Sequence, residues 1–166
     1  LTAAGVPWKV VPGVSSAMAA MAAAGESMTL PEVTQTVILT RVAGRTPMPP
    51  GEELEALAAH RSTICLFLSI TRLAEVERGL RAAGWPEDAP VLVVHKASWP
   101  GEERIVRTTL GELRRACREA GIVSQAMIVV GPTLGAASWP KLARSKLYDP
   151  SFTHRWRRAK TKESDT

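Results

Sequence analysis

Residues 62–95 read STICLFLSITRLAEVERGLRAAGWPEDAPVLVVH and carry the clearest structural pattern in the chain. Two runs rich in β-branched and apolar residues, 63–69 and 90–96, predict strands that are buried in a sheet. The segment between them, 72–83, predicts a helix of about ten residues. A strand, a helix and a second strand in this order are typical of an α/β fold, in which helices cover a sheet.

The same alternation continues on both sides of this stretch. In chain order, further strands and helices are predicted at 35–41, 52–60, 104–108, 110–120 and 126–130. Polar and apolar residues alternate along 102–109 after a Pro-Gly turn, so this strand is a candidate to pair antiparallel with the strand before it. We therefore predict one α/β domain with a mixed sheet over residues 34–150.

A separate motif precedes this domain. Residues 10–23 read VVPGVSSAMAAMAA, which predicts the end of a strand at 9–12, a tight turn, and a helix at 14–24 that stops at Gly25. Ser15 or Ser16 is expected to cap this helix. The unpaired N–H groups of the same helix end also make it a candidate wall of a ligand site. The local residues leave both roles open, and residues 1–33 are predicted to end an earlier domain.

Composition excludes several classes of protein. The 166 residues are 45% hydrophobic and 22% charged, as in an ordered globular chain, and the longest apolar runs are much shorter than the roughly 20 residues of a membrane-spanning helix. The first residues resemble no signal peptide and lack an initiator Met, so we expect the chain to begin within a longer protein. Residues 151–166 hold +3 of the net charge of +5, which predicts a basic, disordered tail rather than a nucleic-acid surface.

The residues that could bind metals are scattered. Cys65 and Cys117 lie far apart, without a CxxC spacing, and are interpreted as reduced core residues of a cytoplasmic protein. The three histidines are equally dispersed, so no metal site is predicted.

No common catalytic motif occurs in the chain, but turns rich in small residues follow four predicted strands. These turns lie at 12–16, 68–69, 96–98 and 130–133. Ligands of α/β sheets gather at the carboxyl ends of strands, where loops and helix N-termini present backbone groups. We therefore expect the four turns to meet in one pocket, whose ligand the spacing does not identify.

Five segments of the sequence resemble the tetrapyrrole methylases. They are PGVSS at 12–16, PEVTQTVILTR at 31–41, LFLS at 66–69, HKASWPGE at 95–102 and IVVGP at 128–132. The second and fourth segments are most similar to the subgroup that methylates carbon 11 of a precorrin, with or without cobalt, and the resemblance extends over residues 1–158. It implies a cytoplasmic homodimer of two-domain α/β subunits, which bind S-adenosylmethionine (SAM) in a cleft and transfer its methyl group to a tetrapyrrole. No membrane partner is implied.

The resemblance also implies roles for particular residues. SAM is expected to contact the serine pair after Pro-Gly, Ser15 and Ser16, and the backbone of Leu68 at the end of a strand. Ala97 is the small residue expected beside the adenine. The turn after the last strand, which holds Gly131, Pro132 and Thr133, is also expected to line the cleft. Arg41 and Arg45 are expected to pair with acidic groups of the tetrapyrrole. The donor is already activated, so alignment and exclusion of water are the main requirements, and no catalytic base is assigned.

The chain departs from the family in one large respect. The opening strand with its GxGPGDP-like loop and the later Gly-Asp segment are both missing from the sequence. Residues 1–33 are therefore interpreted as the remnant of an N-terminal methylase domain, and SAM binding by this chain stays open. The alternatives are a family methylase that acts on another ring position, a protein residue or RNA, an inactive fragment, and a regulatory module that binds a nucleotide.

Overall fold

The computed structural model describes residues 1–139, 145, 149, 151–153 and 155–158. Within these residues, five strands form one mixed sheet in the order β1-β2-β5-β3-β4. The strands are β1 (Val37–Arg41), β2 (Thr63–Phe67), β3 (Pro90–His95), β4 (Arg104–Thr109) and β5 (Ala126–Val130). The helices are α1 (Ser16–Ala24), α2 (Leu54–Ala58), α3 (Leu73–Ala82) and α4 (Leu113–Glu119). The predicted α/β fold with a mixed sheet is confirmed.

The directions of the strands determine which loops meet. β1 and β2 are parallel, and β5 runs antiparallel to both β2 and β3. β4 pairs antiparallel with β3, as the alternation at 102–109 indicated. The carboxyl ends of β1, β2 and β3 therefore lie at one edge of the sheet, where β4 and β5 begin. We call this edge the groove edge.

Two hydrophobic clusters cover the two faces of the sheet. α2, α3 and α4 bury one face, with Ile64, Leu66, Val93 and Ile128 packed against Val76, Leu80, Leu113 and Cys117. α1 covers the other face, with Ala17, Ala20 and Met21 against Cys65, Val94, Met127 and Val129. The buried positions of α1 are three and four residues apart and so lie on one side of the helix. Their small side chains let α1 approach the sheet closely.

Both ends of α1 are fixed. At its start, the Ala17 N–H donates to Ser15 Oγ over 3.4 Å, so Ser15 is the capping serine. At its end, Gly25 adopts a left-handed φ of 65°, as expected for a helix stop. Arg107 on β4 donates to the Ala24 carbonyl at 2.6 Å and to Glu26 at 3.2 Å. The Arg107 contacts fix the C-terminal end of α1 against β4.

The strand predicted at 9–12 is wrong. Residues 6–15 adopt no helix or strand, and Val10 and Val11 are each 74% exposed. No strand in the described part of the chain lies beside this segment, so its apolar residues have no sheet to join. The helix after it packs on the sheet of residues 37–130, and the domain boundary between 33 and 34 stays a prediction.

Other predicted elements differ only in their ends. The helix predicted at 52–60 is confined to α2, and the one predicted at 110–120 begins as a 3₁₀ turn at Leu110–Glu112. The predicted tail at 151–166 lies mostly outside the described residues. None of the helices in the described ranges has the length and apolar character that crossing a membrane requires.

The two cysteines are buried and free, and burial raises the pKa of both Cys65 and Cys117 to about 11. At about pH 8 both thiols are therefore expected to stay protonated in the folded protein and to react slowly with a thiol-specific dye. Unfolding returns both pKa values toward about 8.5, so both thiols should then react quickly. The measurement is the reaction rate with and without guanidinium chloride. A thiol of the native protein that reacts at the unfolded rate would contradict the buried positions.

Candidate functional site

A groove of about 870 Å³ lies at the groove edge, on the face covered by α1. This volume is in the range of sites that hold a drug-sized ligand. Its walls come from the start of α1, the end of β2, the turn after β3 and the start of β5. The residues that line these walls include Val14, Ser16, Ala19, Phe67, Leu68, Lys96, Ala97, Ser98, Trp99, Ser124, Gln125 and Met127.

The two serines at the start of α1 have different positions. Ser15 caps the helix, whereas Ser16 is the first helical residue and lines the groove. The local sequence left open whether these serines cap the helix or line a site. In the structure Ser15 has the first role and Ser16 lies in the candidate site. One turn further on, Ala19 also lines the groove, and its methyl side chain leaves the space in front of the helix empty.

Unusual backbone conformations are concentrated around this groove. Within the described residues, six non-glycine residues have a positive φ, and four of them line the groove. These are Leu68 (φ 51°), Lys96 (48°), Ser98 (69°) and Gln125 (49°). Each costs on the order of 1 kcal/mol, and such strain is typical of binding and active sites. The concentration of strained residues in these turns therefore supports a binding role for the groove.

Three of the predicted SAM residues meet in the groove. Ser16, Leu68 and Ala97 line it from three different elements, and Ser15 lies beside Ser16 as the helix cap. Leu68 is 84% exposed, so its position is not explained by burial of its side chain. Lys96 and Ser98 belong to the turn at 96–98 that the sequence placed at a pocket, although no contact was assigned to them, and the sequence did not identify Trp99 or Gln125 as lining residues.

The turn after β5 does not belong to this groove, and the expectation of one pocket built from four turns is corrected. Because β5 is antiparallel to β2 and β3, its carboxyl end with Gly131, Pro132 and Thr133 lies at the opposite edge of the sheet. There Thr133 Oγ1 donates to the Ser27 carbonyl at 2.8 Å and lies 3.5 Å from Thr63 Oγ1, at the start of β2. These contacts give the turn a structural role.

The two predicted substrate arginines lie at the end of β1, outside the groove lining. The Arg41 guanidinium donates to the carbonyls of Val42 at 3.2 Å, Thr46 at 3.2 Å and Pro47 at 3.1 Å. Arg41 thereby organises its own loop, with three of the five N–H groups of an arginine side chain engaged. Arg45 is exposed within that loop.

The groove is mainly apolar and carries little net charge. Lys96 is the one charged residue in the lining given by the described ranges, and its ammonium forms an ion pair with Glu102. The Lys96 Nζ also lies 5.1 Å from the centroid of the Trp99 ring. The turn is further fixed by Glu103, which accepts from the Ser98 N–H at 2.6 Å. In the described part of the chain, no three His, Cys, Asp or Glu side chains are grouped as metal ligands.

The chain belongs to the tetrapyrrole methylase family, since residues 1–114 match the family described as Tetrapyrrole (Corrin/Porphyrin) Methylases. It is similar to a cobalt-precorrin-4 C(11)-methyltransferase of Priestia megaterium, with 53% identity over 154 residues. That alignment covers 93% of this chain and 59% of the relative. The chain thus spans less than two thirds of the length of this relative.

Solved structures of methyltransferases are also similar to this chain over part of their length. A cobalt precorrin-4 methyltransferase, described as a cobalamin biosynthetic enzyme, matches with a TM-score of 0.75 at 53% identity, over 78% of this chain and 54% of that one. A uroporphyrin-III C-methyltransferase of Thermus thermophilus, in complex with S-adenosylhomocysteine, matches with a TM-score of 0.61 at 26% identity. This second match covers 81% of this chain and 55% of that one.

Proposed function

We propose that this chain is the SAM-binding part of a C-methyltransferase that methylates carbon 11 of precorrin-4 or cobalt-precorrin-4 in cobalamin biosynthesis. One observation carries the proposal: Ser16, Leu68 and Ala97, which the family resemblance assigns to SAM, line one groove of suitable size. The 53% identity to a relative named for this reaction supports the choice of substrate.

The groove residues fit SAM by their chemistry. Phe67 and Met127 offer an apolar wall, and the Ser16 hydroxyl offers a hydrogen-bonding group beside the first turn of α1. Ala97 has no side chain beyond its Cβ, so a ligand can reach the backbone of the turn. These residues would contact the cofactor, whereas Ser15 holds the start of the helix that carries Ser16. The proposal leaves out Gly131, Pro132 and Thr133.

The residues of the groove act by binding and alignment. SAM supplies a methyl group on a sulfonium, which needs no protein nucleophile to activate it. The fixed turns after β2 and β3 would hold the donor in one orientation, and the apolar walls would exclude water from it. This role agrees with a lining in which Lys96 is neutralised by Glu102.

The strained turns support a preorganised site. A binding surface that is already fixed loses little conformational entropy when its ligand arrives. In this groove, the turn 96–99 is closed by the Trp99 N–H, which donates to the Lys96 carbonyl at 3.0 Å. The Lys96 N–H in turn donates to the Gln125 carbonyl at 2.9 Å. These bonds join the turn after β3 to the residue before β5.

The assembly and the location of the protein are proposed as well. We propose a homodimer in the cytoplasm, where two unpaired, buried cysteines such as Cys65 and Cys117 are usual. Exposed apolar side chains on or beside the α1 face, such as Met18 (51%) and Leu39 (53%), support burial by a further domain or a second subunit. The exposed apolar residues of segment 6–15, such as Val10 and Val11, support the prediction that residues 1–33 pack with another α/β domain. Sedimentation of the purified chain measures its assembly.

Calorimetry with SAM, S-adenosylhomocysteine and ATP tests the cofactor. SAM and S-adenosylhomocysteine are expected to bind, and ATP is expected not to bind. The physical reason is charge, because the triphosphate needs unpaired cations and the Lys96 ammonium is already paired with Glu102. Binding of ATP without binding of SAM would overturn the proposal and favour a nucleotide-binding module. Methyl transfer from labelled SAM to cobalt-precorrin-4 then tests the substrate.

The two serines are expected to respond differently to alanine. Ser15→Ala removes the helix cap and should lower the free energy of unfolding by about 1 kcal/mol, with little effect on S-adenosylhomocysteine affinity. Ser16→Ala should leave stability within about 0.5 kcal/mol and weaken binding by about three- to tenfold. Thermal unfolding and calorimetry on both variants measure the two effects. Loss of affinity in Ser15→Ala alone would contradict this division of roles.

A further inference from the structure

The Trp99 side chain lies in the wall of the groove and is half exposed. Its exposure is 51%, although a large aromatic ring gains free energy when it is buried. Trp99 lines the same groove as its neighbours Ala97 and Ser98, and the start of α1 contributes Ser16 and Ala19 to that lining. An exposed indole in an apolar cleft is a surface on which a planar ligand can stack.

The position of Trp99 is fixed by its own turn. The Trp99 N–H donates to the Lys96 carbonyl at 3.0 Å, and the Trp99 carbonyl accepts from the N–H groups of Glu102 and Glu103 at 3.1 Å each. Trp99 is thus the junction of two turns, with both backbone polar groups engaged. A ring held in this way can meet a ligand without a large loss of backbone entropy.

One face of the indole is already occupied. The Lys96 ammonium lies 5.1 Å from the ring centroid, within the range of a cation–π contact, and Glu102 holds the same ammonium in an ion pair. The ammonium, the carboxylate and the ring therefore fix one another. Because 51% of Trp99 is exposed, the ring keeps surface that a second planar group can contact.

We propose that Trp99 stacks on the adenine ring of the bound cofactor at this end of the groove. The inference rests on the proposed function, which places SAM in the groove. The adenine is the planar part of that ligand, and removal of an aromatic ring that stacks on a nucleobase weakens binding by about five- to 150-fold. The apolar walls suit the uncharged adenine, because this cofactor carries no phosphate group that would need cations beside it.

The test compares three variants in S-adenosylhomocysteine binding. Trp99→Leu is expected to weaken affinity by about tenfold or more, whereas Trp99→Phe keeps a stacking ring and should stay within about threefold of the unmodified chain. Trp8→Leu is the matched control, since Trp8 is 59% exposed and lies outside the groove lining. Adenosine alone should show the same order of affinities, because the lost contact is with the ring.

A second measurement uses the fluorescence of the indole. S-Adenosylhomocysteine should quench the tryptophan emission of the unmodified chain and of Trp8→Leu, and the quenching should be nearly absent in Trp99→Phe. Equal thermal midpoints of the free variants show that the differences do not come from unfolding.

The possible results separate the two proposals. If the unmodified chain binds S-adenosylhomocysteine and Trp99→Leu binds it equally well, the stacking role is overturned and the SAM site stands. The same holds if Trp99→Leu weakens only the binding of a tetrapyrrole. If the unmodified chain binds neither SAM nor S-adenosylhomocysteine, both proposals are overturned.

Discussion

Replacement of Gly131 by valine is expected to lower the free energy of unfolding by about 3 kcal/mol. Gly131 follows β5 directly, and a Cβ atom at this position would lie 2.7 Å from Thr63 Oγ1 and 3.1 Å from Thr63 Cα. Thr63 is fully buried at the start of β2, so its backbone cannot move away without disturbing the sheet. The measurement is unfolding by denaturant, with the midpoint and slope compared between variants.

Gly13→Val is the matched control for this prediction. No heavy atom lies within 4 Å of a Cβ built at Gly13, and its φ is not in the left-handed region. The same substitution there should change stability by less than about 0.5 kcal/mol. Equal unfolding curves for the two variants would mean that the close contact between β5 and β2 is not present in solution.

Replacement of Ala19 by phenylalanine is expected to weaken S-adenosylhomocysteine binding by about a hundredfold, or roughly 2.7 kcal/mol. Ala19 lies one turn into α1 and lines the groove, so the larger ring would occupy the volume that the ligand needs. The fold should tolerate the change, because Ala19 is not among the α1 residues that pack in the cluster on this face, which are Ala17, Ala20, Met21, Ala23 and Ala24. Calorimetry gives the affinity, and thermal unfolding checks the fold.

Met18→Phe controls for the added ring. Met18 is 51% exposed on the same helix and lies outside the groove lining. Its replacement should leave the affinity within about twofold, as expected of an exposed side chain that touches no ligand. If Ala19→Phe binds as well as Met18→Phe, the ligand does not lie against α1, and the proposed position of SAM is wrong.

Much of the sheet could be predicted because its strands are locally distinct. The runs at 63–67, 90–95 and 126–130 are short, apolar and separated by helical segments, and each forms a strand at the expected place. The antiparallel pairing of β4 with β3 followed from a Pro-Gly turn and the alternation after it. The strand predicted at 9–12 failed, since a strand forms only where a neighbouring strand supplies hydrogen bonds.

The misplaced turn at 131–133 shows what local patterns omit. The residues of β5 do not by themselves determine the direction in which the strand runs in the sheet. It follows from the hairpin between β3 and β4, which reverses the chain, and from α4, which returns β5 parallel to β4 on the other side of β3. The sequence did indicate that β4 could pair antiparallel with β3. With this hairpin in place and β5 antiparallel to β3, Gly131 lies at the edge opposite Leu68 and Ala97.

Other features of the groove could not be read from the sequence. Leu68, Lys96 and Gln125 adopt left-handed conformations that are usual for glycine or asparagine, and their residue types give no sign of it. Arg41 is used within its own loop because three carbonyls come within reach only after the chain folds back. Such tertiary contacts decide which of the candidate residues remain available to a ligand.

Amide chemical-shift mapping of the isotope-labelled chain with S-adenosylhomocysteine tests most directly whether the cofactor occupies the groove edge. The account predicts that the largest changes fall on Ser16, Leu68 and Ala97, and that Gly131 and Thr133 keep their shifts. Changes centred on Gly131 and Thr133, with Leu68 and Ala97 unaffected, would contradict it.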